Sequence, residues 1–382
     1  MTERLDPALC WELGLVQQIK HGERICGDWV VSSRQGGSLR LVLSDGLGSG
    51  VQANIAATLT ATLLCGLTGR GVPLEDCVRS IEAALPVTKR QGLAYATFSL
   101  VSAGGQTLEL LQFDSPPAVW LRDGVSLPYP SGERAVLDKT VRESRLRFKP
   151  GDMLVLFSDG VSEAGRGVTT YAGWEQREME DYLSRSVLPD DDARHVAARI
   201  VSSVQALDLF SFHDDTTVAV LRLRERLRVK LLLGPDDGWV PEEALLRRFF
   251  AQEGEALLCG SGVVRAAGTY CGAEPRLLRH TVTETLPPAW EVEGAALAME
   301  SGQSLREALA LLSLYAEDAL AALELDQAPD AASRFVALLA RQASDVTLFF
   351  RAAACDDTRA EQVARLRELL TALGKTVTME YC

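Results

Sequence analysis

A chain of 382 residues is long enough for two domains at roughly 150 residues each. Its composition, 47% hydrophobic and 24% charged, is that of a packed globular protein and excludes wholesale disorder, collagen-like repeats and a small disulfide scaffold. A formal net charge of −13 without clustered Lys and Arg argues against nucleic acid or an anionic membrane as the main partner, since both need basic patches for counterion release.

Along the chain, β-rich segments at 25–31 and 38–44 flank Gln35-Gly36-Gly37 and predict a hairpin. Residues 51–67, rich in Ala, Thr and Leu, predict a helix behind a glycine-rich turn. Residues 73–85 predict a second helix with Pro73 near its start. Three short strands are expected between 93 and 127, separated by turns at Ala103-Gly104-Gly105 and Arg122-Asp123-Gly124. The sheet continues at 146–148 and 152–158. Helices follow at 174–186 and 191–207, the second behind the acidic cap Asp190-Asp191-Asp192, and a last strand at 216–223. Strands with helices segregated between them predict an α+β fold, a β-sandwich flanked by helices.

The charged break Arg224-Glu225-Arg226 changes the rhythm. Strands at 229–233, 256–258, 346–350 and 376–381 alternate with helices at 241–253, 262–270 and 358–373. Ser304-Leu305-Arg306-Glu307 has the form of a capping box and predicts the start of a long Ala/Leu helix. Alternation of this kind predicts a mostly parallel sheet. The expected division is therefore 1–225, an α+β domain, and 226–382, a smaller α/β domain of unassigned role.

The eight cysteines include no Cys-x-x-Cys pair and only four histidines accompany them, so a zinc site of the usual spacing is not expected. Cys65 and Cys77 sit among Leu, Ala and Val and read as small core hydrophobes. The start Met1-Thr2-Glu3-Arg4-Leu5-Asp6 lacks the apolar run of a signal peptide, and no uncharged apolar stretch of about 18 residues is read in the chain. A cytoplasmic, reducing setting with no membrane partner is the expectation.

The candidate chemistry begins in the hairpin. With Gly36-Gly37 as the turn, counting outward places Asp28 directly opposite Asp45, at the end of a face carrying Val30, Leu39, Leu41 and Leu43. Two carboxylates that close repel unless a cation, a proton or an Arg compensates. Ser44-Asp45-Gly46 and Ser158-Asp159-Gly160 both end apolar strands, and His213-Asp214-Asp215-Thr216-Thr217 precedes another. Carboxylates from several strand ends, with hardly any His or Cys nearby, suit a hard cation such as Mg²⁺ or Mn²⁺. Four of them balance two divalent ions. Gly48-Ser49-Gly50 resembles a phosphate cradle but lacks the Lys-Ser/Thr of a P-loop, and reads as a close turn.

These residues, in this order, resemble the type 2C metal-dependent protein serine/threonine phosphatases, in the bacterial branch named after sporulation stage II protein E. The resemblance rests on Gly27-Asp28, Ser44-Asp45-Gly46-Leu47-Gly48-Ser49-Gly50, Ser158-Asp159-Gly160-Val161 with Glu163-Ala164, and Asp214-Asp215-Thr216-Thr217, and covers about residues 20–224. It is supported by Ala96-Thr97-Phe98 and Ser115-Pro116-Pro117. The resemblance implies that Asp45 bridges two metal ions with help from the Gly46 carbonyl, that Asp159 and Asp214 bind the first ion, and that Asp28 binds the second. It implies catalytic roles for Asp45 and Asp159, a metal-bridging water as nucleophile, and a supporting part for Asp215. The basic residue that holds phosphate in some relatives has no clear counterpart; Lys20 and Arg24 are the nearby candidates.

The implied activity is hydrolysis of phosphoserine or phosphothreonine on a regulatory protein, for example an anti-sigma-factor antagonist. Alternatives are a non-catalytic phosphoprotein sensor using the same fold, or a hydrolase of small phosphate esters. His213 reads as a packing neighbour. In the second domain, Leu257-Leu258-Cys259-Gly260-Ser261-Gly262 reads as a tight strand-to-helix turn before an anion site. Cys259 and Cys271 have no assigned role, and Glu300 and Asp345 read as capping or solvated residues.

Overall fold

Period-two alternation of apolar residues, switching to helical spacing between strands, generates the first of two compact units, Met1–Glu225 and Arg226–Cys382. The computed structural model describes residues 5–35, 37–85, 87–88, 92–93, 96–188, 191–234, 239–283, 286–299, 302–318, 320, 330–350 and 357–381. Gly36, Asp190 and Glu300 lie outside them.

In chain order the first unit contains β1 (Leu9–Gln18), β2 (Asp28–Gln35), β3 (Ser38–Gly46), α1 (Gly50–Gly69), α2 (Leu74–Ala84), β4 (Val87–Thr88), β5 (Gly92–Leu93), β6 (Ala96–Gly104), β7 (Thr107–Phe113), β8 (Val119–Arg122) and β9 (Val125–Leu127). It continues with β10 (Gly132–Val136), β11 (Lys139–Arg147), β12 (Met153–Phe157), α3 (Asp159–Ser162), α4 (Gln176–Ser186), α5 (Ala193–Leu207) and β13 (Thr216–Glu225). Two antiparallel sheets result, in the orders β1-β13-β12-β8-β9 and β10-β11-β7-β6-β3-β2. Leu41, Val101, Leu108 and Leu146 from one sheet meet Leu154, Leu156, Leu221 and Trp11 from the other in a single buried core. That is the sandwich the sequence predicts.

A second core lies on the outer face of the larger sheet, where Val42, Phe98 and Leu100 meet Ala56, Ala61 and Leu64 of α1 and Cys77 and Ile81 of α2. Helix α1 corrects one expectation. Its 20 uncharged residues make it long and apolar enough, by composition, to cross a membrane. Here Ala53, Ala57, Ala61 and Leu64 line its buried side. Both hydrophobic cores draw only on residues 5–223, so a 1–225 fragment should stay soluble and melt cooperatively in calorimetry. An aggregating or non-cooperative fragment contradicts that independence.

The second unit contains β14 (Arg228–Leu233), α6 (Glu243–Ala251), β15 (Glu255–Cys259), α7 (Ser261–Cys271), β16 (Arg276–Leu278), β17 (Ala289–Glu291), β18 (Leu297–Met299), α8 (Gly302–Glu317), α9 (Ala331–Val336), β19 (Asp345–Phe350), α10 (Asp357–Ala372) and β20 (Thr376–Tyr381). Its sheet runs β16-β17-β18-β15-β14-β19-β20. The five strands from β18 to β20 are parallel, and β16 and β17 add an antiparallel edge. Leu231 packs towards α8 to α10 and Leu232 towards α6 and α7, so helices cover both faces. One expectation fails here. Helix α8 starts at Gly302, and Ser304 is a buried position inside it rather than its cap.

Candidate metal centre

The site is built at one rim of the sandwich. The β2–β3 hairpin pairs Gln35 with Ser38, Val30 with Leu43 and Asp28 with Asp45, so the two carboxylates face each other as counting from the turn requires. Leu39, Leu41 and Leu43 are buried on that face, and Val30 packs against the same core. The acid pair therefore stands where an apolar surface ends. Gly46 follows with no room for a side chain, because a Cβ there would lie 2.1 Å from the Ala53 carbonyl oxygen of α1.

From the other sheet, Asp159 follows β12 and opens α3, while Asp214 and Asp215 precede β13. Phe157 pairs with Val218, and beyond that pair the Ser158 N–H donates to the Thr217 carbonyl at 3.0 Å. The Thr217 N–H donates to Ser158 Oγ at 2.9 Å. Gly160 lets α3 press onto the Asp214-Asp215 turn; a Cβ there would lie 2.2 Å from the Asp215 carbonyl oxygen.

Electrostatics show which acids meet. Asp28 is 1% exposed and its Oδ2 has no hydrogen-bond partner. Burial, reinforced by Asp215 and Asp159, pushes its carboxyl up to about 7, against the opposing influence of the Thr217 and Ser158 hydroxyls. Asp45 is pushed up to about 9, first by burial, then by the charges of Asp28 and Asp159, a hydrogen bond with Asp159, and the charge of Asp214. Asp159 is also raised, by burial first, with its hydrogen bond to Asp45 pulling the other way. Without a cation, Asp45 keeps a proton that it shares with Asp159.

A carboxyl raised in the folded state opposes folding as pH climbs from its unfolded value towards the folded one. The metal-free protein is therefore destabilised progressively from 3.8 towards about 9. Melting curves in EDTA should fall with pH more steeply for wild type than for Asp45→Asn. Parallel curves contradict the shared-proton reading.

Asp214 takes a different partner. Its Oδ1 lies 3.4 Å from Lys20 Nζ and accepts the Asp215 N–H at 2.9 Å. Asp215 is buried, and its two oxygens accept the Lys20 N–H at 3.0 Å and the Gly27 N–H at 2.8 Å. It clamps the β1–β2 connection beside Asp28. Arg24 is exposed. His213 Nδ1 lies 3.4 Å from Asp208, away from the acid pair's hydrogen bonding.

Among the described residues, no three His, Cys, Asp or Glu side chains stand already gathered to hold a cation. The donor set nevertheless fits a hard divalent ion. It is all oxygen, it is built from several carboxylates, one buried Oδ2 lacks a partner among the described residues, and Asp45 and Asp159 hydrogen-bond to each other.

In the second unit the turn after β15 is tight. A Cβ on Gly260 would lie 3.3 Å from the Gly234 Cα, and the Gly260 N–H already donates to the Met299 carbonyl at 2.8 Å. Cys259 is a buried free thiol and Cys271 a half-buried one. Asp345 is ion-paired, with both oxygens 2.8 Å from Arg226 Nη1.

Residues 35–224 match the family Stage II sporulation protein E (SpoIIE). The Stage II sporulation protein E of Priestia megaterium is 24% identical over 222 residues, 56% of this chain and 36% of that protein. The Bacillus subtilis (strain 168) protein of the same name is 24% identical over 218 residues, 55% of this chain and 25% of its own length. The chain thus aligns with only a quarter to about a third of these relatives. The solved PP2C phosphatase domain of Bacillus subtilis SpoIIE, with a fragment of its regulatory domain, is similar at 21% identity and a TM-score of 0.48, over 57% of this chain and 64% of that one. Residues 35–224 of the N-terminal unit thus form a SpoIIE-like domain.

Proposed function

We propose that the N-terminal unit hydrolyses phosphoserine or phosphothreonine on a regulatory protein, using two Mg²⁺ or Mn²⁺ ions. The observation that carries this reading is the facing pair Asp28 and Asp45, with Asp45 hydrogen-bonded to Asp159. A facing pair of this kind is kept in a folded protein where a cation, a proton or an Arg relieves the repulsion, and a bound divalent ion would take the place of the proton. Asp45, with the Gly46 carbonyl beside it, would serve both ions, Asp159 and Asp214 would complete the carboxylates of one, and Asp28 would serve the other. Bound divalent ions supply Lewis acidity and an activated water near neutral pH.

The chain's own residues do the positioning. Asp45 and Asp159 hold negative charge at the centre of the rim. Asp215 fixes the Lys20–Gly27 connection through two backbone N–H groups. Lys20, ion-paired with Asp214, places a positive charge at the same rim. By family likeness the substrate is a phosphorylated switch protein such as an anti-sigma-factor antagonist.

Substrate class is tested by comparing phosphate release from phosphoserine and phosphothreonine peptides with hydrolysis of p-nitrophenyl phosphate. The peptides should be preferred in kcat/KM by at least about 10-fold, because flanking residues add binding that a small ester cannot. Equal values favour a small-ester hydrolase instead.

A further inference from the structure

A cavity of about 410 Å³ opens in the first unit, lined by β7, β8, the β8–β9 hairpin and its continuation, β11 and α4. It is separate from the acid pair. Val119 at its wall pairs with Val155 on β12, four residues before Asp159, or roughly 13 Å along the strand. Its volume falls in the range of small-molecule sites, and its lining mixes apolar and aromatic residues with nearly as many polar ones, Arg142 and Glu180 among them.

The walls are held rigidly. Tyr129 donates from its hydroxyl to the Ala118 carbonyl at 2.8 Å. Gln112 Nε2 donates to Ser99 Oγ at 3.0 Å and to the Pro116 carbonyl at 2.8 Å, and Arg142 donates to the Ser115 carbonyl. The loop that forms one side is therefore fixed before any ligand arrives.

Two polar groups in the lining have capacity to spare. Among the described residues, Arg142 makes no ion pair, although Arg134, Lys139 and Arg145 on the same two strands each meet a carboxylate. Glu180 accepts from Gln176, its helical neighbour, at 3.0 Å and has a second carboxylate oxygen for a further donor. Arg142 and Glu180 both act on the Tyr129 phenol, which burial pushes up; the guanidinium opposes that rise and the carboxylate adds to it. One cation and one anion thus flank the same aromatic ring.

From this arrangement we propose that the cavity binds a free L-α-amino acid with a large apolar side chain. Its carboxylate meets Arg142, its ammonium meets Glu180, and its side chain lies against Leu127, Pro128 and Tyr129. A guanidinium–carboxylate contact supplies charge-assisted hydrogen bonds, and the opposite charge at Glu180 rejects ligands carrying only an anion.

The test is calorimetric titration and thermal melting of the full chain with L-Leu, L-Phe and L-Trp. Each binder is matched with its α-amide, which lacks the carboxylate charge, and its N-acetyl form, which lacks the ammonium. At least one amino acid should bind saturably and, at about ten times its Kd, raise the melting temperature by about 3–6 °C. Both neutralised analogues should bind at least about 10-fold more weakly. Arg142→Gln and Glu180→Gln should each weaken binding similarly; Glu180→Gln, on the surface of α4, keeps the test valid if the Arg142 variant fails to fold. Absence of saturable binding up to about 10 mM for all three amino acids overturns the proposal. So does equal binding of the amide and N-acetyl forms.

Discussion

Replacing Asp45 with Asn should lower turnover on a phosphoserine substrate by at least about 10²-fold, since the account assigns rate enhancement to charge held at this one position. Asp45 feels all three other proposed metal carboxylates: Asp28 across the hairpin, Asp159 by hydrogen bond and charge, and Asp214. Asn keeps the shape but removes the charge both ions would share. Asp28→Asn removes charge from one ion only, so excess Mn²⁺ should rescue it better than Asp45→Asn. Stability should move the other way. Because the metal-free fold holds Asp45 protonated up to about 9, Asp45→Asn should melt no lower than wild type in EDTA at neutral pH. Equal turnover by wild type and Asp45→Asn, with both folded, contradicts the assignment.

Gly46→Ala should be the most damaging small change to the scaffold of the site. The added methyl would sit 2.1 Å from the Ala53 carbonyl oxygen, a backbone atom with no rotamer to escape by. Either α1 lifts from β3 or the end of β3 shifts, and Asp45 moves with it. Overpacking of this kind costs about 1–3 kcal/mol, which for a unit of this size lowers the melting temperature by about 2–12 °C. Activity should fall with it, beyond recovery by added Mn²⁺. A variant with unchanged melting temperature shows that α1 and β3 are not locked together here.

How much of this was legible depended on whether local chemistry fixed the geometry. The hairpin was readable because a two-residue turn sets register, and register alone places Asp28 against Asp45. Strand β1 escaped because Gly14 interrupts its alternation. The structure gives the reason: a Cβ at Gly14 would lie 2.1 Å from the Ala193 backbone, so the glycine serves the packing of α5. Strand β10 escaped because it is a short edge strand with only Val136 buried. The capping box at Ser304 misled because the helix that packs Leu305, Ala308 and Leu312 into the core already includes Gly302, which carries Ser304 inside it. Asp215 was read only as support. Its two backbone clamps join segments almost 200 residues apart, which no local motif announces. The cavity beside Tyr129 left no sequence signal, because Arg142, Glu180 and Trp120 come together only through the sandwich and α4.

The central claim is metal-dependent hydrolysis of a phosphorylated serine by the rim that Asp28, Asp45, Asp159 and Asp214 form. It is tested most directly by phosphate release from a phosphoserine peptide by the full chain, with Mn²⁺ and again with EDTA. The account predicts release with Mn²⁺ and a loss of at least about 10²-fold in EDTA, restored when Mn²⁺ is added back. Release that is undiminished in EDTA, or no release at any Mn²⁺ concentration from a folded chain, contradicts it.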